Sequence, residues 1–265
     1  MTEMDIIQTD GMVLVEKCPI CAEMLENEGH RVQRAVKMVE ISGIEAFPVY
    51  VTIRYVPCSN CGNAFQSPRL TDELLEEYYR QGVYRDWVYK SPEGASRGEV
   101  YRFRADNVVA LVDDHLLNCA THLDFGGAGG ELGRTLREAF NTSSINVELD
   151  ENYRKRSKEI NGVPVLEALP ESGETYDLVT AFEVIEHLAY PLATVDDLWA
   201  RTAPGGVLMM TVPNVLTSPS IAMRFPHLTA FTPPGMRNLL EYAGIEPQNT
   251  QTSGGTIFSW SKKSI

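Results

Sequence analysis

The fold of this chain is decided by the segment LDFGGAGGELG at residues 123–133. Its first residues predict a buried strand, which runs into a glycine-rich turn and then into a helix. Five glycines within eight residues let the backbone approach a ligand closely, and the free N–H groups at a helix start favour an anionic group. The segment therefore predicts a small-molecule site. The alternative is a tight connection in an α/β fold that binds no ligand.

Three further segments narrow the kind of ligand. The spacing D-x-G-x-A-x-G at residues 124–130 does not match the G-x-G-x-x-G fingerprint of dinucleotide sites. The next predicted strand, SINVEL at 144–149, carries Glu148 at its end, where a carboxylate can accept both hydroxyls of a ribose. Further along the chain lie YDLVTAFEVIEHL at 176–188 and APGGVLMMTVPN at 203–214. These observations indicate nucleoside binding and leave a nicotinamide cofactor open.

In this order, the four segments resemble the class I S-adenosylmethionine (SAM)-dependent methyltransferases. The resemblance covers the chain from about residue 100 to the C-terminus, and EVIEH at 183–187 and PGGVLMMTVPN at 204–214 are its most specific parts. It implies SAM as the cofactor. One residue departs from the pattern, because Ala128 stands where the family has the middle glycine of its loop. Alanine costs steric energy there if the position requires a positive φ.

The resemblance also implies roles for single residues. Asp124 and the loop glycines are expected to hold the methionine end of SAM, Glu148 the ribose, and the loop at 167–169 the adenine. The residues that follow the fourth predicted strand are expected where cofactor and acceptor meet, because open α/β sheets bind ligands at the carboxyl ends of their strands. The candidate cofactor-binding residues are Asp124, Gly126, Gly127, Ala128, Gly130, Glu148, Glu167, Ala168, Leu169, Phe182 and Glu183.

Candidate bases follow from the chemistry of methyl transfer. SAM carries an already activated methyl group, so the protein mainly orients the reactants and excludes water. A base is needed only if the acceptor must lose a proton. His227 is the favoured candidate because it lies in a proline-containing loop that we expect to face the acceptor, where the resemblance supports a histidine. His187, expected at the start of a helix with a structural role, and Glu183 are the other candidates.

Two C-x-x-C motifs separated by 36 residues predict a second site near the N-terminus. Cys18, Cys21, Cys58 and Cys61 form a complete tetrahedral set for zinc, whose role is then structural. A redox-active pair would need only one such motif, and disulfides are disfavoured in a cytoplasmic chain. His30 lies between the motifs, where it is either an alternative ligand or, as we favour, a surface residue.

Composition limits the function classes. The 265-residue chain has a formal charge of −13, which argues against a large nucleic-acid surface. No apolar run is long enough to span a bilayer, and the acidic start MTEMD is unlike a secretory signal. We therefore expect a cytoplasmic protein. Composition leaves its oligomeric state open.

The alternation of predicted helices and strands indicates an α/β fold. We expect a Rossmann-like, doubly wound, mostly parallel sheet, preceded by a small zinc-ribbon-like module, and the resemblance implies a C-terminal antiparallel hairpin. The expected divisions are a zinc-ribbon-like module at 1–68, a helical connector and linker at 69–99, and the methyltransferase domain at 100–265. The module and the domain are expected to have separate cores.

The connector contains a tyrosine-rich helix. Packing is the favoured role of Tyr78, Tyr79 and Tyr84, and a lid over the cofactor is the alternative. A zinc module and such a helix before the domain resemble an arrangement common in methyltransferases of sugar, polysaccharide and secondary-metabolite pathways.

Three hypotheses about function remain. The leading one is SAM-dependent methyl transfer to a small-molecule, glycan or secondary-metabolite acceptor. The second is a zinc-bearing interaction protein whose domain binds SAM weakly or without catalysis, which Ala128 motivates. The third, a nicotinamide-dependent enzyme, is disfavoured by the missing fingerprint.

Overall fold

The computed structural model describes residues 11–25, 29–37, 48–82, 108, 119–170 and 173–265. Its strands are β1 (Met12–Val13), β2 (His30–Lys37), β3 (Pro48–Pro57), β4 (Ala64–Gln66), β5 (Arg69–Leu70), β6 (Thr121–Phe125), β7 (Ser143–Val147), β8 (Val165–Leu166), β9 (Tyr176–Phe182), β10 (Thr202–Pro213), β11 (Thr229–Ala230), β12 (Asn249–Ser253) and β13 (Thr256–Lys262). Its helices are α1 (Asp72–Arg80), α2 (Glu131–Phe140), α3 (Glu151–Glu159), α4 (Pro191–Ala200), α5 (Pro219–Ala222), α6 (Pro233–Tyr242) and a 3₁₀ turn (Ile185–His187). In these parts of the chain, no helix combines the length and apolar character needed to cross a bilayer.

The central sheet has seven strands in the order β12-β13-β10-β9-β6-β7-β8. The five strands from β10 to β8 in this order pair in parallel. Strand β13 pairs antiparallel with both β10 and β12. Strand β6, the first strand of this sheet along the chain, lies between β7 and β9. The strands that follow it are therefore added first on one side (β7 and β8) and then on the other (β9 and β10). This is the switch point at which ligands bind in open α/β sheets.

Helices cover both faces of the sheet. On β9, Leu178 packs in a cluster with Leu136 of α2 on one face. The next residue, Val179, packs with Leu198 of α4 and Met236 of α6 on the other face. Because consecutive strand residues point to opposite faces, this alternation confirms the doubly wound architecture. The C-terminal hairpin is also confirmed.

Two strand positions differ from the sequence prediction. The second strand, predicted at 144–149, is Ser143–Val147, so Glu148 lies immediately after it. The sequence also predicts a third strand around Val163, and the structure has this strand at Val165–Leu166. The sequence further predicts a helix that begins near residue 100 and a linker around 91–98; both of these, and Tyr84, lie outside the described residues, apart from Val108.

The expectation of two separate cores is wrong. Strand β11, from the C-terminal half, pairs antiparallel with β4 and completes a four-stranded sheet in the order β11-β4-β3-β2. As a consequence, Cys61 and Phe65 belong to the same buried cluster as Phe231 and Met236. The N-terminal module shares its core with the α/β domain because a strand of the domain completes its sheet.

Candidate functional site

The glycine-rich loop leaves β6 at the switch point with an unusual backbone. Gly126, Ala128 and Gly130 have φ angles of 69°, 45° and 76°, and the N–H of Gly126 donates to the carbonyl of Val147 at 2.8 Å. A side chain at Gly127 would overlap the carboxylate of Asp124. The loop therefore lies directly on the end of the sheet, with its N–H groups near the start of α2.

Ala128 has a positive φ, the conformation in which alanine is expected to cost steric energy. Its N–H donates to Glu148 Oε2 at 3.1 Å, and its carbonyl accepts from Asn146 Nδ2 at 2.8 Å. Left-handed backbone costs a residue with a Cβ about 1 to 3 kcal/mol. These two hydrogen bonds offset part of that cost.

Two acidic residues after β7 have different environments. Glu148 Oε1 accepts from the N–H of Asp150 at 2.9 Å, and burial together with the nearby Asp150 raises the pKa of Glu148 to about 7. Asp150 is fully buried and caps α3, where its Oδ1 accepts from Asn152 N at 2.8 Å. Glu148 is thus the carboxylate beside the glycine-rich loop, and Asp150 has a structural partner.

The other predicted cofactor residues are more dispersed. Asp124 is buried beneath the loop, at 4% exposure. Glu167 is exposed and forms an ion pair with Arg154 at 2.6 Å, Ala168 is exposed, and Leu169 packs against the core.

The residues that follow β9 lie beside the end of β10. Phe182 is partly buried against the cluster on the α2 face, and Glu183 has a φ of 57°. The N–H of Glu183 donates to the carbonyl of Thr211 on β10 at 2.8 Å. This contact places Glu183 at the carboxyl ends of two neighbouring parallel strands.

Three distant segments form what we call the histidine cluster, which consists of Tyr79, His187 and His227. The hydroxyl of Tyr79 on α1 lies 2.8 Å from His187 Nδ1. The rings of His187 and His227 meet edge to face, with centroids 4.5 Å apart. His187 does not start a helix as predicted, since it ends the 3₁₀ turn that follows β9.

Electrostatics keep both imidazoles neutral. Burial, reinforced by Arg224, lowers the pKa of His187 to about 3. Burial, His187 and Arg224 lower the pKa of His227 well below its usual value. His227 Nε2 accepts from Arg224 Nε at 3.3 Å, and Nδ1 lies 3.3 Å from the carbonyl of Ala222. A neutral imidazole has one nitrogen that can accept a hydrogen bond, and the lowered pKa values make both rings weak bases in this environment.

The tyrosines of α1 pack on this cluster. Tyr78 contacts Phe225 edge to face with centroids 5.3 Å apart, and Tyr79 makes a similar contact with His187 at 5.6 Å. Burial raises the pKa of Tyr78 to about 12. From the N-terminal module, the Tyr55 hydroxyl donates to the carbonyl of His227 at 2.6 Å. These contacts support packing as the role of Tyr78 and Tyr79.

The four predicted metal ligands lie together. Their sulfurs are all within 4.8 Å of one another, with Cys18 and Cys61 3.5 Å apart and Cys21 and Cys58 3.5 Å apart. Tetrahedral zinc with Zn–S bonds of about 2.3 Å places its sulfurs slightly farther apart than 3.5 Å, so the set fits zinc. The N–H groups of Ile20 and Cys21 donate to Cys18 Sγ, which stabilises a thiolate. The His30 side chain lies outside the described part of the chain.

Asn63, just after the second motif, ties the cysteine site to α6. Its Oδ1 accepts from Thr232 N at 3.1 Å, and its Nδ2 donates to the carbonyl of Gly235 at 3.0 Å. Asn238 Nδ2 donates to the carbonyl of Cys61 at 3.1 Å. Sequence reasoning missed Asn63, because a polar residue after a C-x-x-C-G motif has no distinctive spacing relative to residues 170 positions away.

Comparison with known proteins agrees with this geometry. Residues 80–248 match the family model described as Methyltransferase domain. The Ubiquinone biosynthesis O-methyltransferase of Parvibaculum lavamentivorans is 42% identical over 48 residues. That segment is 18% of this chain and 19% of the relative, so the match spans about a fifth of the relative's length.

Solved structures show the same fold at low sequence identity. An S-adenosylmethionine-dependent methyltransferase from Clostridium acetobutylicum ATCC 824 superimposes with a TM-score of 0.56 at 10% identity, over 69% of this chain and 100% of that chain. Magnesium protoporphyrin IX methyltransferase from Synechocystis PCC 6803, with bound SAH, gives 0.56 at 18% identity, over 73% and 100%. A SAM-bound amino pentose methyltransferase from Micromonospora echinaspora gives 0.52 at 19% identity, over 64% and 96%. The chain belongs to the methyltransferase-domain family and has the fold of the class I SAM-dependent methyltransferases.

Proposed function

We propose that this protein transfers a methyl group from SAM to a small-molecule acceptor. The observation that carries the proposal is the position of Glu148. Its carboxylate lies beside a loop of positive-φ residues at the switch point of the sheet, 3.1 Å from the N–H of Ala128. A hydrogen-bond acceptor for ribose hydroxyls next to N–H groups for an anionic end is what a nucleoside with an amino-acid tail requires.

The cofactor, when bound, supplies the activated methyl group. The chain's own residues bind and orient it. The N–H groups at the start of α2 would face the methionine carboxylate, Glu148 would accept from the ribose hydroxyls, and residues 167–169 would line the adenine. Asp124 acts from beneath the loop, and Phe182 and Glu183 lie between cofactor and acceptor. Exclusion of water and orientation account for most of the rate enhancement in such a displacement.

On the acceptor side, we assign the base to His227, with His187 and Glu183 as neighbouring groups. Both imidazoles are neutral, because burial and Arg224 lower their pKa values, and each therefore has one ring nitrogen without a proton. His227 Nε2 accepts from Arg224 in this structure, so an acceptor hydroxyl or amine replaces that guanidinium as the donor to Nε2. The chemistry points to an acceptor with an O–H or N–H group.

Two observations support the class of acceptor: the names of the similar proteins, and the assignment of His227 as a base. A relative acts in ubiquinone biosynthesis and a structural neighbour is an amino pentose methyltransferase. We propose a hydroxylated or aminated small molecule, with sugars and other secondary-metabolite precursors as the first class to test.

We further propose that the four cysteines hold one zinc ion with a structural role, because four thiolates leave no open coordination position. A reduced cluster of this kind agrees with a cytoplasmic location. Elemental analysis of protein purified without chelator is expected to give one zinc per chain. Protein with no stoichiometric metal would contradict the assignment.

Calorimetric titration tests the cofactor assignment directly. We expect S-adenosylhomocysteine (SAH) to bind and NAD not to bind. Methyl transfer is then followed by mass spectrometry with phenolic, amino-sugar and nucleotide-sugar acceptors in parallel. Binding of NAD without SAH, or of neither ligand, would overturn the proposal.

A second function is favoured by one observation, the positive φ of Ala128. If the strained loop binds SAM weakly, the protein is a zinc-bearing interaction protein with a non-catalytic domain. Weak SAH binding that Ala128→Gly restores, with no transfer by either form, would support this second function.

A further inference from the structure

We infer that a buried chain of four polar side chains, Ser144, His122, Thr180 and Asp124, positions the glycine-rich loop for the cofactor. His122 and Thr180 have no exposed surface, so neither touches a ligand. Their role is to position Asp124. The inference rests on the proposed function, because it concerns the same cofactor site.

The chain crosses three neighbouring strands at the switch point. Ser144 lies on β7, His122 and Asp124 on β6, and Thr180 on β9. His122 Nδ1 is 3.0 Å from Ser144 Oγ, and His122 Nε2 is 2.8 Å from Thr180 Oγ1. Thr180 Oγ1 lies 2.6 Å from Asp124 Oδ1. The contacts are therefore continuous from β7 to the carboxylate beneath the loop.

The directions of the two hydrogen bonds nearest Asp124 are fixed by chemistry. A carboxylate only accepts, so the Thr180 hydroxyl donates its hydrogen to Asp124. The Thr180 oxygen then accepts from His122, which must carry its hydrogen on Nε2. In a neutral ring, His122 Nδ1 is left as the acceptor for the Ser144 hydroxyl, which also lies 3.4 Å from the carbonyl of Gly133. With a neutral imidazole, each group in the series donates toward Asp124.

Burial agrees with that protonation state. Burial lowers the pKa of His122 to about 3, so the ring is neutral over the whole physiological range. Buried polar groups in the centre of a parallel sheet destabilise the fold unless they are paired. Strand positions of this kind are normally occupied by valine, isoleucine or leucine. The hydrogen bonds seen here offset the cost of four polar residues where apolar ones would suffice for stability.

Asp124 connects the chain to the loop. Its Oδ2 and the Oδ1 of Asn146 occupy the space that a Cβ at Gly127 would need. Asn146 Nδ2 also holds the carbonyl of Ala128 at 2.8 Å. The loop therefore lies on two buried polar side chains, and the Thr180 hydrogen bond fixes the rotation of one of them. A rotated Asp124 carboxylate would displace Gly127 and the N–H groups that follow it.

The test uses Thr180→Val, which removes the hydroxyl and keeps the shape of the side chain. We expect SAH affinity, measured by calorimetry, to fall about tenfold, which is ~1.4 kcal/mol. Thr180→Ser restores the donor and should return the affinity to within about twofold of wild type. Thr211→Val is the matched control. Thr211 is buried on β10, and its Oγ1 has no hydrogen-bond partner among the described residues, so this change should leave affinity within about twofold.

If Thr180→Val does not fold, nitrogen NMR of the histidines in the wild-type protein tests the inference instead. We expect the His122 ring to be neutral, protonated at Nε2, and shifted when SAH binds. A ring protonated at Nδ1, a resonance that SAH leaves unchanged, or Thr180→Val that binds like wild type would each overturn the inference. Wild-type protein that binds no SAH would instead refute the proposed function, so the two failures are distinguishable.

Discussion

The two sides of the proposed site are built in different ways. The glycine-rich loop and Glu148 of the cofactor side come from one stretch of chain, because β6, the loop, β7 and Glu148 all lie within about 30 residues of one another. The acceptor side combines residues from three distant segments. Tyr79 and His187, whose side chains touch, are 108 positions apart, and Tyr55 reaches His227 across 172 positions.

This difference teaches that the N-terminal module is joined to the segment that carries His227. The Asn63 contacts and the β4–β11 pairing hold the segment that carries His227. No comparable contact joins the cysteine site to the glycine-rich loop among the residues that the structure describes. Perturbing the module should therefore affect the acceptor side first.

The largest effect is expected at His227. If it is the base, His227→Ala should lower the methyl-transfer rate by about 10² to 10⁴-fold with little change in SAH affinity, the usual contribution of a positioned base. Rate profiles against pH with a confirmed acceptor measure this. His187→Ala is the comparison variant. A wild-type rate in His227→Ala across the pH range would move the assignment to His187 or Glu183.

Cys58→Ser should destabilise the whole chain, because the cysteine site shares its core with α6. We expect one cooperative thermal transition and a loss of about 4 kcal/mol or more in unfolding free energy, as for removal of a structural metal. Cys119→Ser is the control, since this buried thiol lies outside the cluster and should leave metal content unchanged. Two separate transitions in Cys58→Ser, with the α/β domain unaffected, would restore the idea of independent cores.

Glu148→Ala should weaken SAH binding by about 1.5 to 3 kcal/mol, the range for hydrogen bonds to a charged group. Asp150→Ala separates the two acids, because loss of the α3 cap should cost about 1 kcal/mol of stability and little affinity. The opposite pattern would show that Asp150, not Glu148, receives the ribose.

Glu148 also predicts a pH dependence. The free protein holds this carboxyl with its pKa raised to about 7, and ribose hydroxyls donate to the ionised form. SAH affinity should therefore rise between pH 6 and pH 8 as the carboxyl loses its proton. Glu148→Gln should bind more weakly and show no such rise. A wild-type affinity that is flat over this range would contradict the assignment.

Asn63→Ala tests the link between the module and the acceptor side. It removes the acceptor of the Thr232 N–H and one of the donors to the Gly235 carbonyl, which costs about 1 to 3 kcal/mol. Asn60→Ala is a matched control, because its side chain is exposed and donates to the exposed Tyr242 hydroxyl. Chemical denaturation compares the two variants. Equal losses of unfolding free energy in the two variants would show that the Asn63 contacts do not stabilise the link between the module and the α/β domain.

The smallest effect is expected at Ala128. Ala128→Gly relieves the positive φ at the cost of a more flexible unfolded chain, so a net gain of about 0.5 to 1 kcal/mol in stability or SAH affinity is expected. Ala120→Gly, at a residue without a positive φ, should instead destabilise. A loss in Ala128→Gly would mean that the loop is not strained.

The difference between the cofactor side and the acceptor side also explains which features could be predicted from the sequence. The glycine-rich loop, Glu148 and α2 are encoded by local spacing, and the four cysteines by two short motifs, so both could be identified from neighbouring residues. Contacts across the chain carry no local signal. Asn63, the shared core and the end of the 3₁₀ turn at His187 depend on β11 completing the N-terminal sheet. The buried His122 and Thr180 were missed because polar residues in an apolar strand have a role only when the neighbouring strands are known.

Hydrogen–deuterium exchange of the full chain tests the central claim most directly, with the protein measured as purified, with SAH and with a zinc chelator. We predict that SAH slows exchange in residues 124–130 and 148–150. The chelator should speed exchange in residues 226–235 and leave the glycine-rich loop near its original rate. Faster exchange of residues 124–130 to the same extent as 226–235 after metal removal, or a loop that SAH does not protect, would contradict the account.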